Sequence, residues 1–348
     1  MIRKISVIIA VISLAALSGC GGKDGAKDAA PAESFHVETI NRYTPVKSQG
    51  KASDCWAYAM ISTIESNHIE MGDSVHLSVA YVLRHRLKDL AAEYYLTGGK
   101  RKIDDRGTAV TLLRTILTHG IVPYDAYQDD ATLNSGVLVR KLTKLAGTGM
   151  TRRTGLENLY KKVDDLLDDE LGPAPRFAFM LGAEYTALEF AHSVCAPDEY
   201  QPLTSFTHHP FGAPFALEVE DNREGEMFMN VPLDTLERRV VDALNHHRSV
   251  CWEGDISEDG FSFDRGIARV SVGMKERRAR VTQEERQKAF ESFRTTDDHC
   301  MSIIGIARDD DGNKYFICKN SWGTKNPYRG LMYMSFDYFR LKTIAVVI

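Results

Sequence analysis

No basic stripe runs through the 348 residues, and acidic residues outnumber basic ones, 48 to 43, for a net charge of −5. That balance lacks the electrostatic footprint of a nucleic-acid binder. Metal-ligand spacings are missing too. There is no CxxC and no HExxH, so neither a metal centre nor a bound cofactor is expected. Long apolar runs are absent: Ile5 to Leu17 is mostly apolar but spans only 13 residues, short for a membrane crossing. No internal repeat is present. Cysteines number six. Four of them, Cys195, Cys251, Cys300 and Cys318, could pair in three ways. Cys300 and Cys318 fall on strands expected to be adjacent but not with the two residues opposite each other, so buried free thiols are the expectation.

What is present begins with a leader. Arg3 and Lys4 precede the apolar run, and Leu17-Ser18-Gly19-Cys20 reads as a bacterial lipobox. Residues 1–19 are expected to be a lipoprotein signal peptide, Cys20 the lipidated new N-terminus, and 20–34 a flexible polar tether. Residues 1–19 carry two positive charges and no negative ones, so their removal takes the net charge from −5 to −7. The expected location is the bacterial cell envelope, outside the cytoplasm, with the membrane as partner through the lipid. The polar stretch before Thr44 is too short and too apolar-poor to build a folded blocking segment, so activity is expected without proteolytic trimming.

The chemistry concentrates at two distant places. Cys55 opens a helix-like run in Asp54-Cys55-Trp56-Ala57-Tyr58-Ala59, whose apolar positions recur with helical spacing to about His68. A cysteine in the first turn of a helix feels the positive end of the macrodipole, which favours the thiolate. Gln49, six residues earlier, can set an amide donor beside the sulfur. Far downstream come Asp298-His299 and Lys319-Asn320-Ser321-Trp322-Gly323, a base and an orienting amide. His208, His209, His246 and His247 compete as bases, but no orienting Asn motif follows them. Asp298 reads either as a group tuning His299 or as a turn residue.

At these residues the chain resembles the papain-like cysteine peptidases, whose site is Cys-His-Asn. Pro45 to Gly50 resembles the usual approach to the nucleophile, whereas Ala52-Ser53-Asp54 departs from it. The papain histidine follows its cysteine by about 130–150 residues. Here the separation is 244, roughly 95–115 more. That excess, with Leu77-Ser78, Asp105-Arg106-Gly107, Gly120 to Tyr124, Leu203-Thr204-Ser205, His209-Pro210-Phe211 and Asn230 to Leu233, is similar to the bleomycin hydrolase and aminopeptidase C branch. The resemblance implies an α+β, two-lobed papain-like fold over 35–348. A mainly helical lobe, about 35–172, would carry the nucleophile; a β-rich lobe, about 173–348, would carry the base, with a cleft between them. It implies Cys55 as nucleophile, His299 as acid and base, Asn320 as orienter, Gln49 as oxyanion donor and Trp322 as cover for the His–Asn bond. The substrate would be a peptide or protein. The alternative is the same fold used for peptide binding or for acyl transfer to an amine, in a cleft narrowed by the unusual Ala52-Ser53-Asp54 approach; Asp54 beside the thiol would also disfavour the thiolate. The last expected strand, Thr343 to Ile348, leaves no arm to enter the cleft, so endopeptidase or broad amidase action is expected unless an insertion occludes one end.

Periodicity supplies the remaining elements. Helices are expected at Leu77–Tyr95, Thr108–His119, Leu156–Leu171 and Leu233–His246, with an exposed, charged one at Thr282–Arg294. The acidic run within 164–170 is read as a solvated face. Strands are expected at Ala213–Val219, Ser249–Glu253, Met301–Ala307 and Lys314–Lys319, with a hairpin turn at Asp309–Gly312. This places His299 and Asn320 on neighbouring strands.

Overall fold

The computed structural model describes residues 32–128, 134–180, 182–270 and 280–348. The expected signal peptide, Cys20 and most of the tether lie outside the described residues. The first element is a strand, β1 (Phe35–Ile40), and α1 (Cys55–Met71) follows it. Residues Cys55 to His68 of α1 are buried on nearly every side, the mark of a helix enclosed by its neighbours. Its inward polar groups are matched across to the sheet side. The Thr63 and Ser302 hydroxyls lie 2.9 Å apart, those of Ser66 and Ser249 2.7 Å, and Asn67 accepts from the Ser249 N–H at 2.7 Å. The helix stops at Gly72, whose φ of 98° lets its N–H return to His68 and Ile69.

Around α1 stand α2 (Val79–Leu96), α3 (Ala109–His119), α4 (Ser135–Thr151) and α5 (Leu156–Leu171). Ser78 caps α2, and Thr108 forms a capping box with Thr111 on α3. The small hairpin β2 (Ala178–Met180) and β3 (Ala183–Tyr185) leads into α6 (Ala187–Val194). Periodicity pointed to α2, α3 and α5 but not to α4, whose Gly136, Gly147 and Gly149 weaken helix propensity. The signal was nonetheless there, since Leu138, Leu142 and Ala146 are its buried positions.

The remaining strands are β4 (Pro202–Thr204), β5 (Pro214–Ala216), β6 (Met227–Asn230), β7 (Val250–Gly254), β8 (Phe261–Ser262), β9 (Ile267–Ala268), β10 (His299–Asp309), β11 (Lys314–Lys319), β12 (Leu331–Ser335) and β13 (Thr343–Val347). Helices α7 (Leu233–Asn245), α8 (Gln283–Glu291) and α9 (Phe336–Lys342) interrupt them. One sheet runs β5-β6-β4-β13-β7-β10-β11-β12-β9-β8, with β1 paired antiparallel to β10. Strand β13 lies inside this sheet between β4 and β7, with all five residues buried.

The mixed helical and sheet architecture is the α+β fold expected. Three expectations need correcting in detail. Residues 35–40 belong to the sheet rather than to the helical part: they pair antiparallel with β10, with a bulge between Val37 and Thr39. The segment after residue 173 does not pass directly into the sheet: Phe190, Ala191 and Val194 pack with α1 and α3 in one core. Helix α8 is not simply exposed. Arg286 is fully buried and donates to the carbonyls of Ser205, Arg340 and Ile344, which satisfies its guanidinium inside the fold. All five described cysteines are buried and free.

Candidate active site

Cys55 is the first residue of α1, and Trp56 beside it anchors the turn. Trp56 Nε1 donates to the Asp105 carbonyl at 2.9 Å, while the Asp105 carboxylate accepts from the Ser53 N–H at 3.0 Å and the Ser135 hydroxyl at 2.6 Å. Gly107 leaves room for that indole: a Cβ there would lie 3.0 Å from it. The approach to the nucleophile, residues 52–54, is thus held from outside by one acidic residue.

His299 opens β10 and Asn320 directly follows β11. Their antiparallel register sets Ser302 opposite Lys319, which carries two residues 21 apart into contact. His299 Nε2 and Asn320 Oδ1 are 2.8 Å apart. Asn320 Oδ1 also accepts from the Ser321 N–H at 2.7 Å, so the amide is oriented with its oxygen towards the ring. Nδ1 of His299 is left free of the Asn320 contact, and His299 acts on the Cys55 thiol. The Trp322 ring lies 4.6 Å from the His299 ring between centroids and is held edge-on by Phe261 and Phe263.

Gln49 is stitched to the same segment. Its N–H donates to the Ser321 carbonyl at 2.8 Å, Gly323 N–H donates to the Lys47 carbonyl at 3.0 Å, and Ser48 bridges Trp322. The side chain is fixed at both ends: Oε1 accepts from the Ser321 hydroxyl and Nε2 donates to the Ala52 carbonyl at 2.6 Å. One amide hydrogen remains for a second acceptor.

The electrostatics centre on the sulfur. A hydrogen bond from the Cys300 thiol, another with His299 and the charge of His299 hold Cys55 well below the ordinary thiol range, against burial that pushes it up. Asp54 is the N-cap of α1, yet the groups acting most strongly on Cys55 are Cys300 and His299. Asp298 serves the turn before β10: its carboxylate accepts from the Thr296 hydroxyl at 3.1 Å and the Ile256 N–H at 3.4 Å. Burial, then Asp255, raises its carboxyl.

Gln49, Cys55, His299 and Trp322 line one cleft of about 910 Å³. Its far wall comes from the link between β5 and β6, Glu218 to Asp221, and from the stretch between α8 and β10. Six carboxylates (Glu218, Glu220, Asp221, Glu291, Asp297 and Asp298) face two cations, Lys51 and Arg106. Burial raises Asp221 to about 6 against the pull of Arg106, and burial with Glu253 and Asp221 raises Asp297 well above the carboxylate range. His246 lines a different pocket, and His208 and His209 contact Glu218 of the far wall. His208, His209 and Glu218 have ligand atoms within 4.8 Å of one another, the one such set among the described residues. However, Gln287 accepts from the Thr207 N–H and donates to His208 Nδ1 at 3.0 Å. That leaves the proton of neutral His208 on Nε2, facing Glu218, which suits a hydrogen bond rather than metal ligation.

Sequence reasoning passed over Ser321, Asp105 and Cys300. Ser321 and Asp105 sat inside motifs already singled out. Cys300, next to His299, was counted only as a core thiol.

Residues 179–348 match the Peptidase C1-like family. Aminopeptidase G of Lactobacillus delbrueckii subsp. lactis is 26% identical over 171 residues, covering 43% of this chain and 35% of that protein. Aminopeptidase W of the same organism is 26% identical over 171 residues, 47% and 38% of the two chains. The match thus spans little more than a third of these relatives' own length. The crystal structure of PepW from Lactobacillus rhamnosis HN001 superposes with a TM-score of 0.67 at 19% identity, covering 92% of this chain and 82% of that one. The fold is papain-like, and the second half of the chain is similar to the Peptidase C1-like family.

Proposed function

We propose that the chain hydrolyses peptide bonds through Cys55, His299, Asn320 and Gln49. Cys55 attacks the amide carbonyl as thiolate, and His299 as imidazolium protonates the leaving amine. The ring then takes a proton from the water that cleaves the thioester. Asn320 holds the ring in place from Nε2, and Trp322 covers that bond. The free amide hydrogen of Gln49 and the Cys55 N–H stabilise the developing oxyanion, a donor of this kind contributing about 3–4 kcal/mol. The observation that carries the reading is the line Cys55–His299–Asn320 at the wall of a large cleft, with Gln49 tied to Ser321 beside it. Asp54 weighs towards peptide binding alone, but the groups acting most on Cys55 favour a reactive thiolate; amine acylation would use the same thiolate and is told apart by whether water or an added amine takes the acyl group.

The substrate class follows from the cleft. Even with burial holding the Asp297 carboxyl uncharged, five carboxylates face two cations, which favours peptides carrying a cationic nitrogen, from a free α-amine or a basic side chain, and the exposed Phe293 at its rim offers an apolar face. The relatives' names speak of aminopeptidases, so the two sources are to be separated. Matched peptides with free and acetylated N-termini, with and without Lys or Arg, are compared for kcat/KM. Equal rates on all of them would remove the charge argument, and no Cys55-dependent hydrolysis of any would remove the peptidase reading. Anchoring belongs to the same proposal: Cys20 carries lipid after removal of 1–19. A Cys20→Ser protein that stayed in the membrane fraction after a high-salt wash would contradict it.

A further inference from the structure

Helix α8 ends in a hydrogen-bond pattern that suits glycine and holds phenylalanine instead. The Phe293 N–H donates to the Phe290 carbonyl at 3.0 Å and the Arg294 N–H to the Ala289 carbonyl at 2.9 Å. These are the two bonds of a Schellman motif, with Phe293 at the position that turns left-handed. Its φ is 55°. A bulky side chain is strained there by its own Cβ, and glycine or asparagine is the usual occupant.

The fold draws little from the ring in return. Phe293 is 84% exposed, more than any other large apolar residue described. Phe290, three residues earlier, already anchors this end of the helix, its ring 4.1 Å from that of Phe206 between centroids. What Phe293 faces is the cleft, which it lines together with Phe290, Val219 and Ile256. The same wall continues through Thr295 to Asp298 and on to His299. The other left-handed residues that are not glycine, Arg153, His247 and Arg329, do not line the cleft. An apolar ring held in water by a strained backbone is unfavourable in the free protein, and an apolar group laid over it recovers part of that cost.

We infer that Phe293 is a specificity-determining residue whose ring covers a large apolar side chain of the bound peptide. The inference rests on the reading of this cleft as a peptide site. Glu218, Glu220 and Glu291 stand on the same wall, so the favoured peptide carries an apolar and a cationic residue in short succession.

The test measures peptide binding to the full chain carrying Cys55→Ala, and so needs no turnover. Isothermal titration calorimetry compares alanine-based hexapeptides with one lysine, in which a single Phe is moved along the sequence, with the same peptide lacking Phe. One placement of Phe should raise affinity about tenfold or more, as covering an apolar side chain of that size does. Phe293→Gly and Phe293→Asn in the same background should remove the gain, whereas Phe293→Leu should keep most of it. Both Gly and Asn suit the left-handed turn, so both variants should also raise the urea midpoint of unfolding. An undiminished gain in Phe293→Gly would overturn the inference, and so would a lowered urea midpoint, because the ring would then be serving the fold. Peptide hydrolysis by the unaltered chain without any Phe293-dependent gain would sink the inference and leave the peptidase reading standing. A Phe293-dependent gain in a chain that hydrolyses no peptide would do the reverse.

Discussion

Replacing Gln49 separates oxyanion stabilisation from nucleophile activation, because its side chain hydrogen-bonds to Ser321 and Ala52 and not to His299 or Asn320. Its Oε1 is held by the Ser321 hydroxyl and its Nε2 by the Ala52 carbonyl, so one amide hydrogen points to the cleft without having to be ordered first. Gln49→Ala removes that donor, a loss of about 2.7–4 kcal/mol in the transition state and hence about 10²–10³ in kcat. Ser321→Ala removes only one of the two ties. Its neutral hydrogen bond is worth about 0.5–1.5 kcal/mol, which corresponds to a fall of about 2- to 12-fold. Alkylation of Cys55 by iodoacetamide develops no oxyanion and reports the thiolate alone. The assay measures kcat on a fluorogenic peptide and the alkylation rate on the same samples. The expected pattern is a large loss of kcat in Gln49→Ala, a small one in Ser321→Ala, and alkylation unchanged in both. A fall in alkylation as steep as the fall in kcat would refute the reasoning, since Gln49 would then be supporting the Cys55–His299 pair.

Cys55→Ala and His299→Ala should abolish turnover while leaving far-UV circular dichroism unchanged, whereas Asn320→Ala should retain partial activity because the imidazole remains but is less well oriented. Retained hydrolysis in Cys55→Ala would place the chemistry elsewhere. Because Cys300 and His299 depress Cys55, its thiolate should persist below the ordinary thiol range as pH falls; Cys300→Ala should move the alkylation midpoint to higher pH, and an unmoved midpoint would deny the thiol–thiolate contact. Gly254 lies opposite His299 between β10 and β13, where a Cβ would come 2.4 Å from the Lys342 carbonyl oxygen. Gly254→Ala should cost about 1–3 kcal/mol of stability by overpacking, read as a lower midpoint in urea.

Much of the frame was legible before folding. The buried faces of α2, α3 and α5 follow from apolar spacing, and α5 spans Leu156–Leu171 as its period requires. Strands β10 and β11 show as apolar runs on either side of an Asp-Gly turn, in which Asp309 accepts from the Asp311 and Asn313 N–H groups. The short strands β4 and β6 were harder to read, since each has only three or four residues and owes its conformation to its neighbours rather than to its own pattern, whereas β5 falls within the expected strand Ala213–Val219. Strand β1 was hidden for the same reason: it pairs with β10 some 270 residues away.

The chemistry of the site was local information. A thiol at a helix start, an amide six residues before it, and a histidine and asparagine at facing strand ends are specified by functional group and by short-range conformation, and both are written in a few consecutive residues. Which thiol stands behind Cys55, which hydroxyl steadies Gln49 and which carboxylates line the cleft were decided only by tertiary packing. Cys300 is 245 positions from Cys55, and Ser321 is 272 from Gln49. Periodicity reports that a residue is buried, not against what, and contacts across such separations exist only once α1 has packed on the sheet.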